Sequence, residues 1–107
     1  MKTLLVTGGA GFIGSNFCNI NKDKFEIVAL DNLFLGDPEN LDPSIKFIKG
    51  DACKQADLAK CGDEFDVILH LAGTSSAPMF NGDGLASGYV NSVQSFVEAL
   101  EFGRKTG

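Results

Sequence analysis

No apolar run in this sequence approaches the ~20 residues that cross a bilayer; the longest, Val67 to Ala72, is short and interrupted by His70. A membrane span is not expected. The start, Met1-Lys2-Thr3-Leu4-Leu5-Val6, resembles the charged and apolar regions of a signal peptide only until Gly8, where glycines and polar residues take over. Secretion is not expected, and a cytoplasmic location is. Basic charge is scarce as well, with 9 Lys+Arg against 14 Asp+Glu and a net charge of −5. Without a basic stripe to neutralise phosphates along a duplex, nucleic-acid binding is disfavoured, and any bound phosphate must be held locally. Cysteine is limited to Cys18, Cys53 and Cys61, an odd number without C-x-x-C spacing. These read as free thiols, and no metal site is expected.

What is present is an ordinary soluble composition, 44% hydrophobic and 21% charged, which argues against disorder and collagen-like sequence. At 107 residues the chain can bury one core, so residues 1–107 are taken as one domain with no room for a second.

Thr3-Leu4-Leu5-Val6-Thr7 reads as a buried strand that stops at Gly8-Gly9-Ala10-Gly11. From Gly11 onward Ile13, Phe17 and Ile20 fall at i, i+4 and i+7, predicting one face of a helix that ends near Asn21 to Asp23. Phe25 to Leu30 predicts a second strand ending on Asp31, followed by a turn-rich loop through Gly36-Asp37-Pro38 and Asp42-Pro43. Ile45 to Lys49 predicts a third strand closed by Gly50-Asp51, Gln55 to Lys60 a short helix capped by Gly62, and Phe65 to Ala72 the fourth and most apolar strand. Gly73 to Asp83 is a polar loop, with Asp83 a candidate cap. In the helix expected after it, Val93, Phe96, Val97 and Leu100 form an apolar stripe running to Gly103, read as core or interface packing. Buried strands alternating with helices predict an α/β fold, a doubly wound, mainly parallel sheet with right-handed crossovers.

Thr7 to Gly14 contains a G-x-G-x-x-G at Gly9, Gly11 and Gly14 and a G-x-x-G-x-x-G at Gly8, Gly11 and Gly14. Either pattern alone is weak. Here it follows a predicted strand, opens a helix, and stands 20 residues before Asp31 at the end of the next strand, which is the context of a dinucleotide-binding fingerprint. A pyrophosphate needs bare backbone N–H groups at a helix N-terminus, where the dipole favours negative charge and a Cβ would block approach. Gly11 would permit that approach, Gly8 or Gly9 would make the tight turn, and Gly14 would let helix and strand pack closely. Asp31 can accept hydrogen bonds from both adenosine ribose hydroxyls and repel a 2′-phosphate, favouring NAD over NADP. The bland alternative is a turn that only reverses the chain, with Asp31 an ordinary strand-end residue. A P-loop is excluded because no Lys-Ser or Lys-Thr pair follows the glycines.

Together with Leu30-Asp31-Asn32, Lys49-Gly50-Asp51, His70-Leu71-Ala72-Gly73 and Asn91 within Tyr89-Val90-Asn91, this loop resembles the extended short-chain dehydrogenase/reductase family. In particular it resembles the UDP-glucose 4-epimerase-like nucleotide-sugar epimerases and dehydratases of that family. The resemblance implies a Rossmann-type sheet of about four strands in the order 3-2-1-4, truncated relative to the family. It also implies an NAD site built from Gly8, Gly11, Phe12, Ile13, Gly14, Asp31, Asn32, Asp51, Ala52, Leu71, Ala72 and Gly73. Within it Asp51 resembles the acid that meets the adenine amino group, with Ala52 beside it, and Leu71, Ala72 and Gly73 the strand end lining the ribose and nicotinamide. Ser75 and Ser76 stand where relatives begin to touch a UDP-sugar.

Some of these residues have other readings. Asp51 is equally a capping acid, and His70 a hydrogen-bonded core histidine rather than a catalytic one. Family members also carry a tyrosine and a lysine four positions apart, whereas the residue four after the only tyrosine, Tyr89, is Val93. No catalytic residue is therefore assigned. Two functions remain: the NAD-binding part of an epimerase or dehydratase, completed by further chain or a partner, or a free-standing dinucleotide-binding or regulatory module. In either case, strand four at a sheet edge and the apolar stripe predict self-association or a completing partner.

Overall fold

Alternate residues of Thr3–Thr7 have to bury on opposite faces of a sheet, and the computed structural model, which describes residues 1–34, 36–72 and 93–106, shows both faces covered. Strand β1 is Thr3–Thr7. Its Leu4 and Val6 join Ile27, Ala29, Ala10 and Cys18 in one core cluster. Leu5 joins Leu30, Ala52, Leu58, Cys61 and Phe102 in the other. Consecutive apolar residues at its centre, Leu4, Leu5 and Val6, are what two buried faces require. Each fully buried leucine, Leu5, Leu30 and Leu58 among them, contributes about 1.5–3 kcal/mol relative to exposure.

Helix α1 is Phe12–Asn21, strand β2 Glu26–Asp31, and a single 3-10 turn follows at Pro38–Asn40. Strand β3 is Lys46–Lys49, helix α2 Gln55–Ala59, strand β4 Val67–His70 and helix α3 Ser95–Thr106. The four strands form one sheet in the order β3-β2-β1-β4, every pairing parallel. This is the expected Rossmann-type α/β arrangement. The order reverses between β1 and β4, and a crevice opens at such a switch point, beyond the carboxyl ends of the strands.

Several expected boundaries and faces shift. Helix α1 buries Gly14, Ser15 and Cys18, and of the expected Ile13-Phe17-Ile20 face only Phe17 packs against the core; Ile13 and Ile20 are 68% and 73% exposed. The reason is the Gly14–Gly8 contact: a Cβ on Gly14 would lie 2.2 Å from the Gly8 carbonyl oxygen, so the helix approaches the sheet on its smallest residues. Strand β4 is shorter than Phe65 to Ala72. Helix α3 continues through Gly103, where a Cβ would meet only Ile68 at 3.5 Å, so this glycine stops nothing. Gly62 does follow α2 with φ +128, where the Gly62 amide donates to Ala59 O at 3.2 Å. The Asp83 cap lies outside the described residues.

Candidate dinucleotide-binding cleft

The glycines that end β1 differ in what holds them. Gly8 has φ +71, and a Cβ there would stand 2.8 Å from the Ala72 nitrogen and from the Leu71 carbonyl carbon. Its amide donates to Leu30 O at 2.8 Å. A Cβ on Gly9 would come within 2.6 Å of the Ala29 Cβ. Gly8, Gly9 and Gly14 are therefore demanded by the protein's own packing. Gly11 is not. It is the α1 N-cap with extended backbone, φ −76 and ψ −179, and a methyl there would touch only Gly8 O, at 3.4 Å.

Gly11 faces a cleft of about 530 Å³ along the carboxyl ends of the strands. Of the predicted site residues, Gly8, Gly11, Phe12, Ile13, Gly14, Asp31, Asn32, Asp51, Ala52, Leu71 and Ala72 line it. Gly73 lies outside the described residues, as do Ser75, Ser76, Tyr89 and Asn91. No side chain caps the α1 N-terminus, and its first turn holds no acid, so the free N–H groups and positive dipole end of the helix stand at the cleft.

Asp31, beside the glycine turn, is buried. Its Oδ2 accepts the Ala10 amide at 3.0 Å and its Oδ1 the Leu33 amide at 2.8 Å. Each carboxylate oxygen keeps a further acceptor site. Asn32 repeats the turn one residue on, its Oδ1 accepting the Phe34 amide at 2.9 Å, and between these two captures Leu33 takes φ 66. Asp51 does not cap α2, whose N-cap is Lys54. Instead its Oδ1 accepts the Cys53 amide at 2.8 Å, and its own amide donates to Asp57 Oδ2 at 2.8 Å.

Leu30, Phe34, Gly36, Gly50, Cys53 and Ser95 also line the cleft, and sequence reasoning did not assign them to the site. Gly36 had a legible signal, a glycine in the loop after the acidic strand end. A Cβ on it would sit 2.8 Å from Asp31 Oδ2 and 2.9 Å from the Ala10 carbonyl carbon, so the loop folds back onto the glycine turn. Ser95 had none, because only the tertiary fold brings it there. Burial, with Asp51 beside it, pushes the Cys53 thiol up to about 11, far from the thiolate that a nucleophile needs. Cys18 and Cys61 are likewise raised to about 11 by burial.

His70 is hydrogen-bonded and half-buried: Nδ1 lies 2.7 Å from Thr7 Oγ1 and Nε2 3.2 Å from Ser95 Oγ. Burial holds its pKa below the ordinary value. Among the described residues there is no cluster of three or more His, Cys, Asp or Glu able to hold a metal, and no helix long and apolar enough to cross a membrane.

A parallel sheet in this order, with a glycine turn at the switch point and an acid ending the next strand, defines the dinucleotide-binding class of α/β proteins. Residues 4–107 match the model of the NAD dependent epimerase/dehydratase family, and the chain belongs to that family. It is 30% identical over 99 residues to a putative UDP-glucose 4-epimerase of Methanocaldococcus jannaschii, covering 85% of this chain and 32% of that protein. It superposes with a TM-score of 0.86 and 31% identity on the UDP-N-acetylglucosamine 4-epimerase of Methanobrevibacter ruminantium, solved with UDP-N-acetylmuramic acid, over 98% of this chain and 34% of that one. The UDP-glucose 4-epimerase of Thermus thermophilus, solved with NAD, gives 0.88 and 28% identity over 98% and 34%. The chain thus spans about a third of the length of these relatives.

Proposed function

We propose that these residues form one NAD-binding domain, the cofactor half of a UDP-sugar epimerase or dehydratase. One observation carries the reading. Of the four glycines around the turn, Gly11 alone has no packing reason to be a glycine, and it borders an open cleft at a helix N-terminus, which is where a pyrophosphate needs room. In this reading the α1 amides hold the pyrophosphate, with Phe12 and Ile13 flanking it. Asp31 and Asn32 take the adenosine ribose, and Asp51 and Ala52 meet the adenine. Leu71, Ala72 and Gly73 line the nicotinamide side. Bound NAD supplies reversible hydride acceptance.

The 107 residues contain no Tyr-x-x-x-Lys, so on this reading they bind the cofactor and turn over a UDP-sugar only when a tyrosine–lysine pair is supplied from further chain or a partner. The tyrosine is the general base the family's proton removal requires. A cytoplasmic setting suits the reduced thiols of Cys18 and Cys61. Calorimetric titration with NAD is the test. Saturable one-to-one binding supports the assignment, and the absence of binding by the folded chain overturns it.

A further inference from the structure

The Thr7 hydroxyl, fully buried at the end of β1, has its hydrogen-bond directions fixed by its neighbours. It accepts the Ala72 amide at 3.3 Å and shares the Leu71 amide, 3.1 Å away, with the Thr7 carbonyl oxygen, which that amide reaches at 3.0 Å. Backbone N–H groups only donate, so the oxygen acts as acceptor toward both amides, and its single proton goes to the one partner able to accept it, His70 Nδ1, which is also the nearest at 2.7 Å. Nδ1 must then be the bare, accepting nitrogen. The ring proton sits on Nε2 and points at Ser95 Oγ, 3.2 Å away. A proton on Nδ1 would leave the buried Thr7 O–H facing another donor, with no other side-chain acceptor bonded to it among the described residues. The polarity therefore runs one way: from the Leu71 and Ala72 amides to Thr7, from Thr7 to His70, from His70 to Ser95.

The same peptide abuts the glycine turn. The space where a Cβ of Gly8 would stand is filled by the Leu71–Ala72 linkage, at 2.8 Å from both its carbonyl carbon and its nitrogen. Gly8, Leu71, Ala72 and Ser95 all line the cleft, and His70 does not. We propose that His70 is a positioning residue: as the neutral Nε2–H tautomer it orients the Thr7 hydroxyl, which holds the Leu71–Ala72 peptide against Gly8, and it directs a hydrogen bond to Ser95 at the start of α3. The histidine thereby sets the spacing of β1, β4 and α3 around the cleft without touching what the cleft holds. Its effect on NAD affinity rests on the cofactor reading above; its tautomer and its hold on the β4 exit do not.

Two measurements separate these. Long-range 1H–15N correlation spectra of the 15N-labelled chain should show Nδ1 unprotonated and Nε2 protonated at neutral pH. The opposite tautomer, or fast averaging of the two, overturns the proposal whether or not NAD binds. Amide exchange at Leu71 and Ala72 should then quicken in Thr7→Val and His70→Leu. Thr7→Ser keeps the hydroxyl, and His70→Asn places an amide oxygen near the Nδ1 position, so both should restore protection. In the same set, NAD dissociation constants should rise about five- to tenfold for Thr7→Val and His70→Leu, in line with a lost hydrogen bond, and stay within about threefold for the two conservative variants. If NAD binds and all four variants match the parent in exchange and affinity, His70 positions nothing. If no variant or parent binds NAD, the cofactor reading fails, and the spectra and exchange still decide this one.

Discussion

The carboxylate of Asp31 accepts the Ala10 amide at 3.0 Å across 21 residues of sequence, tying the end of β2 to the glycine turn that ends β1. Asp31 therefore shapes the cleft before any ribose reaches it. Replacement by alanine should cost two effects at once. Leaving the Ala10 and Leu33 amides without their acceptor destabilises the fold by about 1–3 kcal/mol, visible as a lower urea midpoint. In the folded fraction, the preference for NAD over NADP should fall from at least about tenfold to near parity, because the charge that repels a 2′-phosphate is gone. Titrations of parent and variant with both cofactors check this. A parent that binds NADP as tightly as NAD refutes the role given to Asp31.

The glycines give a contrast that chain reversal alone does not. Gly11→Val should keep the fold and lose dinucleotide binding, since its side chain meets little of the protein and projects beside the cleft. Gly14→Ala should do the reverse of sparing the fold. Its methyl would enter within 2.2 Å of the Gly8 carbonyl oxygen, and overpacking against backbone costs about 3 kcal/mol or more, which lowers the melting temperature by more than about 10 °C in a domain of this size. Circular dichroism melts set beside NAD titrations distinguish the two. Undiminished NAD affinity in Gly11→Val would show that the loop is only a turn.

The strands and the glycine turn were legible because each rests on local signals, namely apolar runs, glycines and a strand-ending acid, whereas the strand order came only with the family resemblance. The face of α1 was not, because periodicity weighs hydrophobicity, while Gly8 and Gly14 fix the helix by how closely two backbones must approach. Ser95 at the cleft and the Thr7–His70 pairing join residues 25 and 63 positions apart, so no window of sequence displays them. Asp51 is a middle case: its acidity was legible, but whether it capped α2 depended on where the helix starts, and the start falls at Gln55, after Lys54. The helix stop read at Gly103 failed for a related reason, since a glycine ends a helix only where a left-handed turn is needed, and α3 needs none before Thr106.

Acid should destabilise the chain in two windows. Burial depresses the pKa of His70 below its ordinary 6.5, so as pH falls through 6.5 the unfolded chain takes up a proton that the folded one refuses, and stability declines until the folded value is passed. Asp66 is held low chiefly by accepting the Thr3 amide, and Asp57 by accepting the Asp51 amide. Their contribution is complete above the ordinary 3.8 and is lost as pH falls through their folded values. Urea midpoints measured between neutrality and strong acid should trace both declines. His70→Asn should remove the upper one alone.

Activity makes a separate demand. The 107 residues should not interconvert UDP-glucose and UDP-galactose at saturating NAD, because Tyr89 has Val93 four residues on and no lysine. A coupled assay with added NAD is the measurement. Turnover proportional to protein and lost on changing Tyr89 or His70 would overturn the assignment of this chain to cofactor binding alone; turnover that appears only with a polypeptide carrying a Tyr-x-x-x-Lys would support it.

Assembly follows from two surfaces that the fold leaves open. Among the described residues β4 is the last strand of the sheet on its side, pairing with β1 alone through Leu4↔Val67 to Thr7↔His70. Among the described residues no strand pairs with its other edge, and N–H and C=O groups at such an edge are a template for any available strand. Beside it, α3 turns Ser95, Ala99 and Phe102 inward and leaves Val93, Phe96, Val97 and Leu100 47%, 53%, 52% and 60% exposed. These are the four residues of the stripe read from the sequence, and they lie at i, i+3, i+4 and i+7, so the exposed apolar groups form one continuous face of the helix. Faces of this kind mark interaction sites or drive association. The chain as it stands should therefore associate with itself, its sedimentation coefficient rising and its melting temperature shifting with concentration. Phe96→Lys together with Leu100→Lys should suppress the association through α3 while leaving the core intact, because neither residue is buried. A monomer at every concentration, melting cooperatively and indifferent to dilution, would show that neither the edge nor the stripe is the adhesive surface proposed for it.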